Sequence, residues 1–107
     1  MNYKHIYKSL IQSAKSKNRK KSKSGEYFET HHIIPAFMFK INPRNKSGRN
    51  LGHIDGDYDD TKNIVLLTAR EHFLAHVLLY KFLVGTRYEY SAGSSLMLFF
   101  NVAKNTH

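Results

Sequence analysis

The segment Tyr-Phe-Glu-Thr-His-His-Ile-Ile at residues 27–34 decides the fold of this chain. Its aromatic and β-branched residues favour a strand, and Pro35 ends that strand. Two adjacent histidines, His31 and His32, lie within it. Because neighbouring side chains of a strand point to opposite faces, we expect these two imidazoles to serve different purposes.

A second strand leads directly into a helix that carries two more histidines. Residues 63–67 (Asn-Ile-Val-Leu-Leu) predict the strand, and Thr68 with Glu71 three residues later forms a capping box that starts the helix. His72 and His76 are four residues apart on this helix, so both rings share one face and are able to bind one metal ion. One histidine of the first strand is able to join this pair while the other faces elsewhere.

Two further helices flank these elements in the sequence. Apolar residues at three- and four-residue spacing predict an N-terminal helix at residues 2–16 and a C-terminal helix at residues 94–104. Gly85 and the polar stretch up to Gly93 separate the last helix from the one before it. With no internal repeat in the sequence, we expect a single domain over residues 1–107, of the α+β class.

Four aspartates lie between the two predicted strands in an otherwise basic chain: Asp55, Asp57, Asp59 and Asp60. Their density suggests a calcium-binding loop of the EF-hand type. Counted from Asp55, however, the sixth residue is aspartate instead of glycine, and the twelfth is Leu66 instead of glutamate. We therefore interpret the cluster as a turn, with a second ion site as the alternative.

The composition of the 107-residue chain restricts the class of protein to which it belongs. Its length suits one small domain, and the absence of cysteine excludes disulfides, thiolate zinc sites and cysteine nucleophiles. The longest apolar run is too short for a membrane span, and the N-terminus does not have the pattern of a signal peptide. These features predict a cytoplasmic protein that does not bind membranes.

The charge balance favours a polyanionic partner. Seventeen lysines and arginines oppose eight aspartates and glutamates, a net charge of +9, so nucleic acid is the expected partner and an anionic membrane surface is the competitor. Many of these cations form a basic linker at residues 17–25, which predicts contacts with DNA phosphates; the alternative is a solubilising tether. The predicted phosphate contacts are Lys17, Arg19, Lys20, Lys21 and Lys23.

The order of the histidines around Asn63 resembles the HNH endonucleases, which are nucleases of the ββα-metal or His-Me finger type. His72 is nine positions after Asn63 and His76 is four positions after His72, as in that family. The sequence is most similar to the free-standing and homing HNH enzymes of bacteriophages. The matching segments are Glu29–Pro35, Asn63–Leu67 and Glu71–His76.

The resemblance implies a ββα-metal core at residues 26–84, made of a two-stranded antiparallel hairpin and a helix. The insertion between the strands, at residues 36–62, is longer than in many members of the family. The N-terminal and C-terminal helices flank this core.

The resemblance also implies a role for each candidate site residue. His32 is the general base that takes a proton from the attacking water. Asn63 ties the strands together and holds this base in place, and Glu29 supports the active site. The implied metal ligands are His31, His72 and His76.

The implied activity is metal-dependent hydrolysis of DNA phosphodiester bonds by an endonuclease or nickase, leaving 5′-phosphate and 3′-hydroxyl ends. One divalent ion, whether zinc, nickel, manganese or magnesium, stabilises the phosphate and the leaving 3′-oxygen. Candidate cations for the scissile phosphate are Lys23 and Arg70, with His53 as a more remote one. If the chain is phage-encoded, the cytoplasm is that of the bacterial host.

Two alternatives to the enzyme remain open at this point. The first is a catalytically silent DNA-binding module in which the same histidines hold a structural metal. The second is a basic protein that binds membranes or RNA and has incidental histidines. The sequence leaves open whether the protein is a monomer or a homodimer.

Overall fold

The computed structural model describes residues 1–21, 25–40 and 52–105. Lys23 and most of the insertion before Gly52 therefore lie outside the described residues. The described elements confirm the predicted α+β class, with a two-stranded antiparallel sheet and three helices. In chain order they are α1 (Tyr3–Ser16), β1 (Glu29–His32), two short 3-10 helices (Ala36–Met38 and Thr61–Asn63), β2 (Ile64–Leu67), α2 (Ala69–Leu83) and α3 (Glu89–Asn105).

The sheet is shorter than the sequence predicts. β1 and β2 pair over four residues, with His31 opposite Val65 and His32 opposite Ile64. The strand predicted over 27–34 is wrong at both of its ends, because the described partner strand spans only four residues. Beyond His32 the chain bends away from the ladder, and the backbone of Asn63 holds it there through a 2.8 Å hydrogen bond from the Ile33 N–H.

The predicted capping box at the start of α2 is confirmed. The Glu71 N–H donates to the Thr68 hydroxyl at 3.1 Å, and the Thr68 N–H donates to the Glu71 carboxylate at 2.9 Å. The helix ends at Leu83, where Gly85 adopts a φ of +87° that favours glycine. This cap fixes where α2 begins and so determines which face presents its histidines.

The predicted start of the C-terminal helix at residue 94 is wrong, because α3 begins at Glu89 and contains Gly93. A Cβ atom at position 93 would lie 3.4 Å from Cε1 of Tyr80, an ordinary van der Waals contact, so α3 packs on α2 at this position. This packing outweighs the weak helix propensity of glycine, which costs about 1 kcal/mol relative to alanine.

The core lies between α1, α2 and β2. The predicted apolar stripe of α1 faces inward through Tyr7, Ile11 and Ala14, whereas Ile6 at the edge of the stripe is 37% exposed. Leu67 of β2 and Ala75 of α2 are completely buried against it. Among the described helices, none has both the length and the apolar character needed to cross a membrane.

Arg19, which the sequence assigns to DNA, has partners inside the fold. Its guanidinium donates to both carboxylate oxygens of Glu71, at 2.6 and 3.2 Å, and to the Leu66 carbonyl at 3.2 Å. It also lies over the Phe28 ring, and its side chain is only 11% exposed. The hydrogen bond from Arg19 is the main reason that the pKa of Glu71 falls to about 2. In this arrangement Arg19 ties the segment after α1 to the start of α2 and is not free to bind a phosphate.

Candidate metal and catalytic site

Three imidazoles from two elements form a compact cluster. His31 comes from β1, and His72 and His76 come from successive turns of α2. The centroids of the three rings are 4.9 to 5.2 Å apart. One ring nitrogen from each residue lies within 4.8 Å of the other two, so this fold brings the three predicted metal ligands together.

The protonation state of His31 follows from its partner on α1. Its Nε2 lies 2.8 Å from the Tyr7 hydroxyl, whose own proton is donated to the Ile33 carbonyl at 2.6 Å. The Tyr7 oxygen must therefore accept a proton from Nε2 of His31, which leaves a bare lone pair on Nδ1. This Nδ1 is buried and has no hydrogen-bond partner among the described residues.

His72 is oriented by the carboxylate of Glu29 on β1. Nδ1 of His72 donates to Oε1 of Glu29 at 2.9 Å, so its lone pair is on Nε2. Burial raises the pKa of Glu29, but hydrogen bonds from His72 and Tyr27 and the positive charge near Lys21 outweigh burial and lower it. Glu29 is therefore an anionic acceptor at neutral pH, the type of partner that commonly orients a metal-binding histidine.

Burial keeps two rings of the cluster uncharged. It lowers the pKa of His31 to about 2 and that of His76 to about 4, and the charges of neighbouring imidazoles contribute to both shifts. At neutral pH both rings are therefore neutral, as metal ligands must be.

These observations fit a divalent transition metal. The cluster offers three nitrogen donors, and hydrogen bonds to Tyr7 and Glu29 fix the tautomers of two of these rings. The lone pair on the buried Nδ1 of His31 has no hydrogen-bond partner among the described residues, and a metal ion would accept it. Three imidazoles with room for a further ligand are typical of a catalytic zinc site, whereas magnesium prefers oxygen donors. The donor set thus suits zinc, nickel or manganese better than magnesium.

His32 has different neighbours from His31, as expected for adjacent strand residues. Its Nε2 lies 2.7 Å from Oδ1 of Asp59, and its ring packs against Tyr58. Asp59 belongs to the acidic cluster interpreted as a turn, and the N–H of Asp60 does donate to the Asp57 carbonyl there. Sequence reasoning missed the contact with His32 because its partners are 27 residues apart and no local spacing signals it.

The side chain of Asn63 links the segment that carries His32 to the segment that carries Asp59. Its side-chain oxygen accepts from the Ile34 N–H at 2.8 Å, and its amide donates to the carbonyls of Ile34 and Tyr58 at 3.0 and 2.9 Å. Ile34 follows β1, and Tyr58 directly precedes Asp59. The amide therefore fixes the distance between the strand that carries His32 and the turn that carries Asp59.

One open cleft of about 820 Å³ contains both groups of residues. The three clustered histidines line it, and so do His32, Asp59 and Glu29. Leu98 and Phe99 of α3 form part of the wall, and the Phe99 ring lies 5.0 Å from the rings of His72 and His76. A single ligand in this cleft is thus able to meet both the cluster and His32.

The predicted cations lie in different surroundings. Lys17, Lys20 and Lys21 are exposed, as is Arg70. His53, the more remote candidate, contacts Tyr88 through its Nδ1, and Arg87 lies 2.8 Å from the same nitrogen. His53 therefore has a local partner network outside the cleft lining.

Comparison with known families gives a match over most of the chain. Residues 12–90 match a family described as a nuclease family of the HNH/ENDO VII superfamily with conserved AHH. The chain contains one pair of adjacent histidines, His31 and His32, and Thr30 precedes it. The matched region includes the histidine cluster, Glu29, Asp59 and Asn63, but not Tyr7. No solved structure matches the chain significantly.

Several curated proteins of Enterobacteria phage T4 are similar to the chain over 81 residues, which is 76% of its length. Probable mobile endonuclease D is 43% identical, and probable mobile endonucleases B and E are each 42% identical. The aligned region covers 25%, 24% and 43% of these three relatives, respectively. The chain thus spans less than half the length of each.

Removal of one clustered ring tests the cluster as a metal site. We expect His76→Ala to weaken zinc binding by orders of magnitude, because it removes one of the three imidazole ligands. Glu29→Gln should weaken it about 10- to 100-fold, because the amide orients His72 without a negative charge. Isothermal titration calorimetry with zinc measures both, with His5→Ala as the control for loss of an exposed histidine. Equal zinc affinity in His76→Ala and His5→Ala would rule out this cluster as the binding site.

Proposed function

Because the chain belongs to the AHH nuclease family of the HNH/ENDO VII superfamily, we propose that it hydrolyses DNA phosphodiester bonds as a metal-dependent endonuclease or nickase. The observation that carries the proposal is that the histidine cluster and the separate imidazole of His32 line the same cleft. Phosphodiester hydrolysis needs an activated water and relief of the charge that develops on the phosphate and the leaving oxygen. In this proposal His32 activates the water, and a metal ion held by the histidine cluster stabilises the developing charge.

His31, His72 and His76 would hold one divalent ion. Bound there, the ion supplies the positive charge that stabilises the phosphate and the leaving 3′-oxygen. The neutral state of His31 and His76 and the hydrogen bond between His72 and Glu29 support this assignment. The metal that binds most tightly need not support the fastest cleavage, so the plasmid experiment compares zinc, nickel, manganese and magnesium.

His32 acts as the general base in this proposal. Asp59 accepts the proton on Nε2, so the neutral ring carries its lone pair on Nδ1, which takes the proton of the attacking water. The side chain of His32 is 19% exposed, so water is able to reach it.

Asp59 serves as the partner of this base. Its carboxylate holds the ring of His32 in one orientation and stabilises the imidazolium formed when the water loses its proton. Because more than half of the Asp59 side chain is exposed, water is able to replace part of this interaction. We therefore assign Asp59 a smaller share of the rate than His32.

Three exposed lysines after α1 are proposed to contact DNA phosphates: Lys17, Lys20 and Lys21. Burial raises the pKa of Glu29, and hydrogen bonds from His72 and Tyr27 together with the charge of Lys21 lower it, so Lys21 lies near a residue of the cleft lining. Lys23 belongs to the same proposed surface from its sequence alone. The names of the phage relatives support an endonuclease, and we propose that it acts on DNA in the cytoplasm of a bacterial host.

Plasmid nicking separates the proposed catalytic roles. We expect His32→Ala to lose about 10²–10⁴ in cleavage rate while zinc affinity is retained and DNA affinity stays within a few fold, because only the base is removed. Asn63→Ala should fall between His32→Ala and the wild type. Asp59→Asn should lose about tenfold, because an exposed carboxylate is partly replaced by water.

The measurement is relaxation of supercoiled plasmid across the metal series, with a chelator control and His5→Ala as the matched histidine variant. Cleavage by His32→Ala at the wild-type rate would refute its assignment as the base. If the wild type binds zinc and DNA but does not cut with any of these metals, the protein is a silent DNA-binding module.

The salt dependence of DNA binding tests the basic segment. Replacing Lys17, Lys20 and Lys21 by glutamine should flatten the plot of log affinity against log salt by roughly three units, about one for each lost phosphate contact. Arg19→Ala should instead leave this slope unchanged and lower the free energy of unfolding by about 2 kcal/mol, because it breaks a partly buried ion pair. Binding titrations and urea unfolding measure the two effects. If the triple variant keeps the wild-type slope, these lysines do not contact DNA.

A further inference from the structure

Tyr7 of α1 reaches the histidine cluster from outside the ββα arrangement of the other site residues. It is buried, and its hydroxyl is 2.8 Å from Nε2 of His31 and 2.6 Å from the Ile33 carbonyl. The helix that carries it packs on both α2 and β2, so the hydroxyl has a fixed position relative to the cluster. Tyr7 also lies outside the region that matches the nuclease family, which begins at residue 12.

We propose that Tyr7 is a positioning residue that holds His31 in the tautomer able to bind metal through Nδ1. The inference rests on the metal site of the proposed function. The Tyr7 hydroxyl has only one proton, and it donates that proton to Ile33. It is therefore an acceptor for His31, and only the tautomer with hydrogen on Nε2 satisfies it.

The consequence for Nδ1 is direct. A buried acceptor without a partner is costly, and Nδ1 of His31 is such an atom among the described residues. Without the Tyr7 hydroxyl, Nε2–H would lose its acceptor, and nothing would hold the proton on Nε2 instead of on Nδ1, the nitrogen that faces the other two imidazoles. A metal ion would have to displace a proton on Nδ1 before it could bind there.

The experiment compares Tyr7→Phe with Tyr3→Phe in the full chain. Both changes remove one hydroxyl from α1, but no hydrogen bond of the Tyr3 side chain is present in the described structure, where it packs against the core. We expect Tyr7→Phe to bind zinc about 10- to 100-fold more weakly than the wild type, the usual effect of losing an outer partner of a metal-binding histidine. Tyr3→Phe should bind like the wild type. Thermal unfolding of the metal-free proteins checks that both variants fold.

A second measurement tests the tautomer without metal and without a variant. The ¹⁵N chemical shifts of the histidine rings in the metal-free wild type should identify His31 with Nε2 protonated and Nδ1 bare. Protonation of Nδ1 instead would overturn the proposal, and so would wild-type zinc affinity in folded Tyr7→Phe. If the wild type shows the expected tautomer but binds no metal, the metal site of the proposed function fails while the link between Tyr7 and the His31 tautomer stands.

Discussion

A neutral imidazole carries one proton, and His31 donates that proton to the Tyr7 hydroxyl. Because the hydroxyl proton already goes to the Ile33 carbonyl, the direction of this hydrogen bond is fixed and Nδ1 of His31 is left bare. His72 is arranged in the same way by Glu29. Two of the three rings therefore owe their tautomers to residues of α1 and β1. The cluster depends on how these elements pack against α2 as much as on the spacing of the histidines.

Because side chains alternate along β1, the site has a buried part around His31 and a solvent-accessible part around His32. His31 is 1% exposed and lies beside the rings of His72 and His76, whereas His32 reaches water and the carboxylate of Asp59. Asn63 sets the distance between the strand and the turn that carry this second pair. A metal site benefits from the first environment and a general base from the second. Both environments open onto one cleft, which makes this division useful for chemistry on a single phosphate.

Local sequence rules identified much of this arrangement. The capping box of Thr68 and Glu71 located α2, and the four-residue spacing of His72 and His76 placed both rings on one face. Contacts between distant segments were beyond such rules. The sequence placed Tyr7 only in an apolar stripe, Asp59 only in a turn and Arg19 only in a basic run, because their partners are 24, 27 and 52 residues away. Gly93 misled the prediction of α3 for the same reason, since its close packing against Tyr80 is a tertiary contact.

X-ray absorption at the zinc edge tests most directly whether His31, His72 and His76 form one metal centre. We expect the protein to bind one equivalent of zinc. The spectrum should show three imidazole nitrogens at about 2.0–2.1 Å, with one further oxygen or nitrogen ligand completing the shell. The full chain at neutral pH is the sample, since His31 and His76 are neutral there. A shell composed only of oxygen, or the absence of stoichiometric zinc, would contradict the metal centre proposed for this fold.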